Sequence, residues 1–78
     1  MRYSVNRETD LLLTVREQQI LEFVAAGFSA KQVAQRIAIA PRTVERHIEN
    51  IRQKMHARNT PHMISCAYTN GMLEIAAS

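Results

Sequence analysis

Start signals for helices recur along this chain at intervals too short for any long element. Thr14 with Glu17, and Ser29 with Gln32, both have the S/T-x-x-E/Q spacing. In that arrangement each side chain satisfies a backbone N–H left open at a helix N-terminus. Pro41 suits the first position of a third helix, where its missing N–H costs nothing. Asn59 or Thr60, with Pro61 following, suits the start of a fourth. Gly27 and Gly71 stand where the first and fourth helices would stop, because helices commonly close through a left-handed residue.

Between these signals, apolar residues fall at helical spacing. Ile20, Leu21, Val24 and Phe28 line the first segment, and Val33, Ala34 and Ile37 the second. Val44, Ile48, Ile51 and Met55 line the third, and Met63, Ile64 and Ala67 the fourth. Met72 and Leu73 are placed to tuck back onto the core. No run alternates with a period of two, and Asn70-Gly71 falls at a helix end rather than between strands. The reading is an all-α fold of four helices over about 15–26, 30–37, 41–55 and 60–70. Residues 1–12 read as an N-terminal arm or linker, 13–74 as one domain and 75–78 as a C-terminal tail.

Composition removes several function classes. Seventy-eight residues hold one small domain, whose core is marginal without a partner, a ligand or a dimer. With no Trp, two Tyr and two Phe, that core must be aliphatic. The lone Cys66 excludes an internal disulfide. No apolar run approaches the roughly 18 residues of a membrane helix. Charges stand in MRYSVNRETD where a signal peptide would have its apolar stretch. A cytoplasmic protein without a membrane partner is expected.

An enzyme is not expected, nor a cofactor. Ser29, Ser65 and Cys66 lack a nucleophile motif with an oriented base, and there is no Gly-rich phosphate loop. His47, His56, His62 and Cys66 raise the question of a metal, with His62 and Cys66 an i, i+4 pair. Zinc sites need three or four ligands at characteristic spacing, so none is expected.

The net charge of +3 hides an asymmetry. Residues 1–28 carry three Arg and four acids, net −1; residues 61–78 carry Glu74 alone, net −1. Residues 29–60 carry Lys31, Arg36, Arg42, Arg46, Arg52, Lys54 and Arg58 against Glu45 and Glu49, net +5. Such a basic centre is either a solvated helical face or the electrostatic footprint of a nucleic-acid partner, and its position decides between them.

The third helix shows why. At 100° per residue, the face opposite its apolar seam carries Arg42, Arg46, Glu49, Asn50 and Gln53. Arg, Asn and Gln can pair in bidentate fashion with guanine and adenine edges in a major groove. A short helix, a three-residue turn (Ala38, Ile39, Ala40) and a longer helix with a polar outer face make a helix-turn-helix. Lys31, Arg52, Lys54 and Arg58 suit phosphate contacts, and Ser29 and Thr43 are counted with them. Glu45 and Glu49 oppose phosphate binding unless they pair with Arg42, Arg46 or Arg52 at i±3 or i±4; Glu49 could also accept from a cytosine amine.

These pieces resemble a known family. L-T-x-R-E at 13–17, G-F-S at 27–29, K-x-x-A at 31–34, P-R-T-V-E-x-H at 41–47 and K-M-x-A-R-N at 54–59 look like the LuxR/GerE-type helix-turn-helix domain. The P-R-T-V-E and x-P-H-M pieces are most similar to its FixJ-like response-regulator branch. The resemblance covers about Leu13 to Leu73. It implies a four-helix DNA-binding domain of a transcription regulator, with the third helix in the major groove and the fourth in a dimer contact. By position it implies groove and backbone contacts at Arg42, Thr43, Glu45, Arg46 and Glu49, and an inward seam of Val44, Ile48 and Ile51. The base-contact set is then Arg42, Glu45, Arg46, Glu49, Asn50 and Gln53. The dimer face is His62, Ser65, Cys66 and Thr69.

Family members are usually the output half of a longer chain, and nothing of that kind fits before Leu11. An excised effector domain or a small stand-alone regulator is therefore expected. Its partners would be double-stranded DNA and a second copy, then RNA polymerase or a larger regulator. A protein-directed role on the same fold is the alternative: a modulator that heterodimerises with a larger regulator through the fourth helix. The chain departs from the commonest family pattern at Ala38, usually Gly, at Ala40, usually a Ser cap, and at His56, usually Gly. The missing cap is expected to cost about 1 kcal/mol.

Overall fold

The structure, a computed structural model, describes residues 13–74. The proposed arm over 1–12 and the tail over 75–78 lie outside the described residues. The elements are α1 (Val15–Ala25), α2 (Ala30–Ile37), α3 (Pro41–Lys54) and α4 (Thr60–Thr69), with no strand among the described residues. The all-α, four-helix expectation holds. The first, third and fourth helices end one residue earlier than expected, because Ala26, Met55 and Asn70 are the capping residues.

The starts follow the local signals. Thr14 Oγ1 accepts from the Glu17 N–H at 3.0 Å, and Glu17 Oε1 accepts from the Thr14 N–H at 2.9 Å. Ser29 and Gln32 repeat this reciprocal cap at 3.2 and 2.9 Å. Asn59, not Thr60, caps α4, its Oδ1 accepting from the His62 N–H at 2.8 Å. Ala40 has no side-chain cap to give α3, and Pro41 at the first helical position leaves one fewer N–H to satisfy.

All four stops use a left-handed residue. Gly27 (φ 101°), Ala38 (φ 59°), His56 (φ 56°) and Gly71 (φ 76°) each follow a helix. The turn lets the next amide reach back: Phe28 N to Phe23 O at 3.1 Å, Ile39 N to Ala34 O at 3.2 Å, Ala57 N to Arg52 O at 3.0 Å and Met72 N to Ala67 O at 2.8 Å. These bonds satisfy carbonyls that a helix end leaves open. At Ala38 and His56 the chain holds this conformation against the Cβ clash that glycine avoids.

The core is aliphatic. Ile20, Leu21, Val33, Val44, Ile51 and Met63 are fully buried, with Ala34, Met55, Ala57, Ala67 and Leu73 around them. Each fully buried Ile, Leu, Val or Met contributes about 1.5–3 kcal/mol. α3 lies at the centre, packing chiefly on α2 and α1 and also on α4. Leu73 does tuck back, and the Met72 carbonyl accepts from Gln18 Nε2 at 2.9 Å, tying the end of the domain to α1.

Two further contacts brace the bundle. Lys54 at the end of α3 donates to Glu17 Oε1 at 2.7 Å, joining α3 to the start of α1. The Glu17 side chain is only 6% exposed. Burial pushes its carboxyl pKa up, but hydrogen bonds from Lys54 and Thr14, with the Lys54 charge, outweigh that and hold it below the ordinary value. On the other side, the Arg36 guanidinium sits 4.7 Å from the Phe28 ring centroid, and Phe28 packs against Phe23.

Candidate nucleic-acid interface

α2, its turn and α3 form one packed unit. Val33 and Ala34 of α2 and Val44 and Ile51 of α3 are buried between them and the rest of the bundle. Burying that seam turns the opposite face of α3 outward. Arg42, Thr43, Glu45, Arg46, Glu49, Asn50 and Gln53 are all exposed. All six expected base-contact residues therefore share an accessible helix, in a stretch of net charge +5.

The two acids behave differently. Glu49 is clamped: its Oε1 accepts from Arg52 Nε at 3.0 Å, and its Oε2 accepts from Arg52 Nη2 and, at 2.9 Å, from Gln53 Nε2. Hydrogen bonds from Arg52, then from Gln53, lower the Glu49 pKa to about 2. The carboxylate stays ionised at neutral pH with a guanidinium beside it, so the pair adds no net charge to the face. Glu45 is in neither of the two ion pairs among the described residues, Glu49–Arg52 and Glu17–Lys54. Arg42 and Arg46 are outside them too.

The expected phosphate contacts divide the same way. Ser29, Lys31, Thr43 and Arg58 are exposed. Arg52 is half-buried, and its Nη1 donates to the Ala57 carbonyl at 2.6 Å while the rest of its fork holds Glu49. Lys54 is committed to Glu17. Both therefore also brace the end of α3, where the sequence suggested two phosphate contacts. Glu17 was recognisable only as a cap; its second partner lies 37 residues away, and no local spacing signals it.

The expected dimer residues lie together on α4. Ser65 and Thr69 are exposed; His62 and Cys66 are half-buried. His62 Nδ1 accepts from the Arg58 N–H at 2.9 Å, so this ring also closes the α3–α4 connection. The Thr69 hydroxyl donates to the Ser65 carbonyl at 3.0 Å. No helix here is long and apolar enough to cross a membrane.

Comparison with known proteins fits this geometry. The family model for bacterial regulatory proteins of the luxR family, GerE, matches residues 11–67. The chain is 42% identical over 59 residues to the transcriptional regulatory protein FixJ of Rhizobium meliloti, covering 76% of this chain and 29% of that protein. It is 30% identical over 63 residues to the oxygen regulatory protein NreC of Staphylococcus carnosus, covering 81% and 29%. It is 40% identical over 55 residues to the HTH-type transcriptional regulator MalT of Vibrio campbellii, covering 70% and 6%. The chain spans less than a third of the length of these relatives. No solved structure matches it significantly. A match over most of the chain, containing the whole of α1, α2 and α3, places it among its relatives: it belongs to the luxR family of bacterial regulatory proteins.

Proposed function

We propose that this domain binds double-stranded DNA sequence-specifically in transcription regulation, with α3 in the major groove and α4 in the contact of a symmetric homodimer. The observation that carries the reading is the outer face of α3, where Arg42 and Arg46 are exposed and outside both ion pairs. Arg42 and Arg46 read bases, with Asn50, Gln53, Glu45 and Glu49 on the same face. Arginine forks suit the paired acceptors of guanine. Ser29, Lys31, Thr43 and Arg58 position the domain on phosphates, while Arg52 and Lys54 act within the protein. His62, Ser65, Cys66 and Thr69 form the dimer contact. The cytoplasm is its compartment, and RNA polymerase or a larger regulator is a further partner.

Selection of bound sequences from a random duplex pool at physiological salt tests the reading. A two-fold symmetric motif is the expected result, because a symmetric dimer reads two equivalent half-sites. Weak, salt-labile binding without enrichment would refute it and favour a protein-binding modulator of the same fold.

A further inference from the structure

The outer face of α3 is chemically divided. Arg42 and Arg46 in its N-terminal half carry donors only. Glu49, toward its C-terminal half, is acceptor-only and takes a hydrogen bond from Gln53 Nε2 at 2.9 Å. A primary amide has a donor end and an acceptor end, and a carboxylate accepts from the donor end alone. Glu49 therefore fixes which way round the Gln53 amide stands. The flipped amide would set its carbonyl against a carboxylate that the Arg52 fork keeps charged.

We propose that Glu49 and Gln53 form an oriented acceptor patch that selects a base bearing a major-groove amine, adenine or cytosine, over guanine or thymine on the contacted strand. This rests on the DNA-binding reading above and deepens it. The Gln53 side-chain carbonyl is left without a partner among the described residues, and the Glu49 side chain beside it is half exposed. Adenine offers its N6 amine and cytosine its N4 amine to such oxygens. Guanine presents N7 and O6, and thymine O4, all acceptors that would face acceptors. Arg52 makes the patch tolerable near DNA by cancelling the Glu49 charge, while Oε1, which takes Arg52 Nε as its one protein donor, keeps a lone pair to offer. Glu49 is thus a positioning residue for Gln53 as well as a contact.

The geometry also gives a spacing. Gln53 stands seven residues beyond Arg46. That is roughly 10 Å along the helix at 1.5 Å per residue, which spans at most about three base steps of 3.4 Å. Each half-site should have a guanine set by the arginines and, within about three positions of it, an adenine or cytosine set by this patch.

The test is duplex selection with the wild-type chain, Glu49→Gln and Gln53→Met. Both positions are exposed, and Gln53→Met leaves the Glu49–Arg52 pair in place. The wild type should prefer adenine or cytosine at the patch position by roughly tenfold, the usual scale of one discriminated base pair. Glu49→Gln lets both amides turn, and Gln53→Met removes the carbonyl. Each should bring that preference to about twofold or less while the guanine preference persists, a fivefold loss confined to one position. Guanine or thymine at that position in the wild type, or an unchanged preference in both variants, would overturn the proposal while the DNA-binding reading stands. No motif with the wild type would overturn both.

Discussion

Ala38 ends α2 at φ 59° and ψ 46°, the left-handed region, in the turn that sets α3 against α2. For an L-residue this conformation costs about 1–2 kcal/mol, because Cβ crowds the following carbonyl. Ala38→Gly removes the clash. It also gives the unfolded chain more freedom, which offsets about 0.4–1 kcal/mol of the gain. Ala38 is exposed, so no packing is lost with the methyl group. The net expectation is stabilisation by about 0.5–1 kcal/mol. In a domain of this size that raises the melting temperature by roughly 3–6 °C. The mirror experiment is Gly27→Ala at φ 101°, where an added Cβ would meet nothing within 4 Å. Its cost is therefore backbone strain of about 1–2 kcal/mol less the same unfolded-chain term, a net destabilisation of about 0.5–1 kcal/mol. Both are read by thermal and urea unfolding followed by circular dichroism. A lower melting temperature for Ala38→Gly, or no change for Gly27→Ala, would refute the claim that these turns hold the left-handed conformation.

Further outcomes follow from the braces and the face of α3. Lys54→Met strips the buried Glu17 of its ammonium partner and should destabilise by about 1–2 kcal/mol in urea unfolding, the exposure of Lys54 keeping the loss modest. The Glu17 pKa lies below its ordinary value in the folded state, so its contribution is present above the ordinary glutamate range and lost as pH falls through the lowered value. Glu17→Gln should therefore flatten the acid side of a stability–pH curve. Arg36→Ala should lose about 0.5–1 kcal/mol with the Phe28 cation–π contact. On DNA, Arg46→Ala should lose about 1–3 kcal/mol and relax one position, while Lys31→Ala should weaken all duplexes alike and lower the salt slope by about one. Titration of specific and random duplexes across salt separates the two.

The helices were legible because the signals that make them are local. Thr14 and Glu17, or Ser29 and Gln32, meet within one turn whatever the rest of the chain does. The left-handed stop at His56 was readable only through the resemblance, whose usual residue there is glycine. The candidate reading face followed from periodicity: once Val44 and Ile51 go inward, Arg42, Arg46 and Gln53 must go outward. The choice among carboxylate partners on that face was not readable. Glu49 had arginines in reach on either side, and side-chain packing at the end of α3 selected Arg52.

By itself, then, the sequence determined where each helix begins and ends to within a residue, which stripe of each is apolar, and that charge gathers around α3. Those are consequences of contacts spanning three or four residues. Tertiary structure decided which charges remain available. It gave Lys54 a protein partner by bringing it to Glu17, and Arg52 another in the Ala57 carbonyl. It also carried the Gln18 amide to the Met72 carbonyl, 54 residues away. A lysine in a helix face reads the same whether it meets water or a buried carboxylate. Only the packing of α1 against α3 distinguishes the two, because the partner is brought near by the fold and not by the chain.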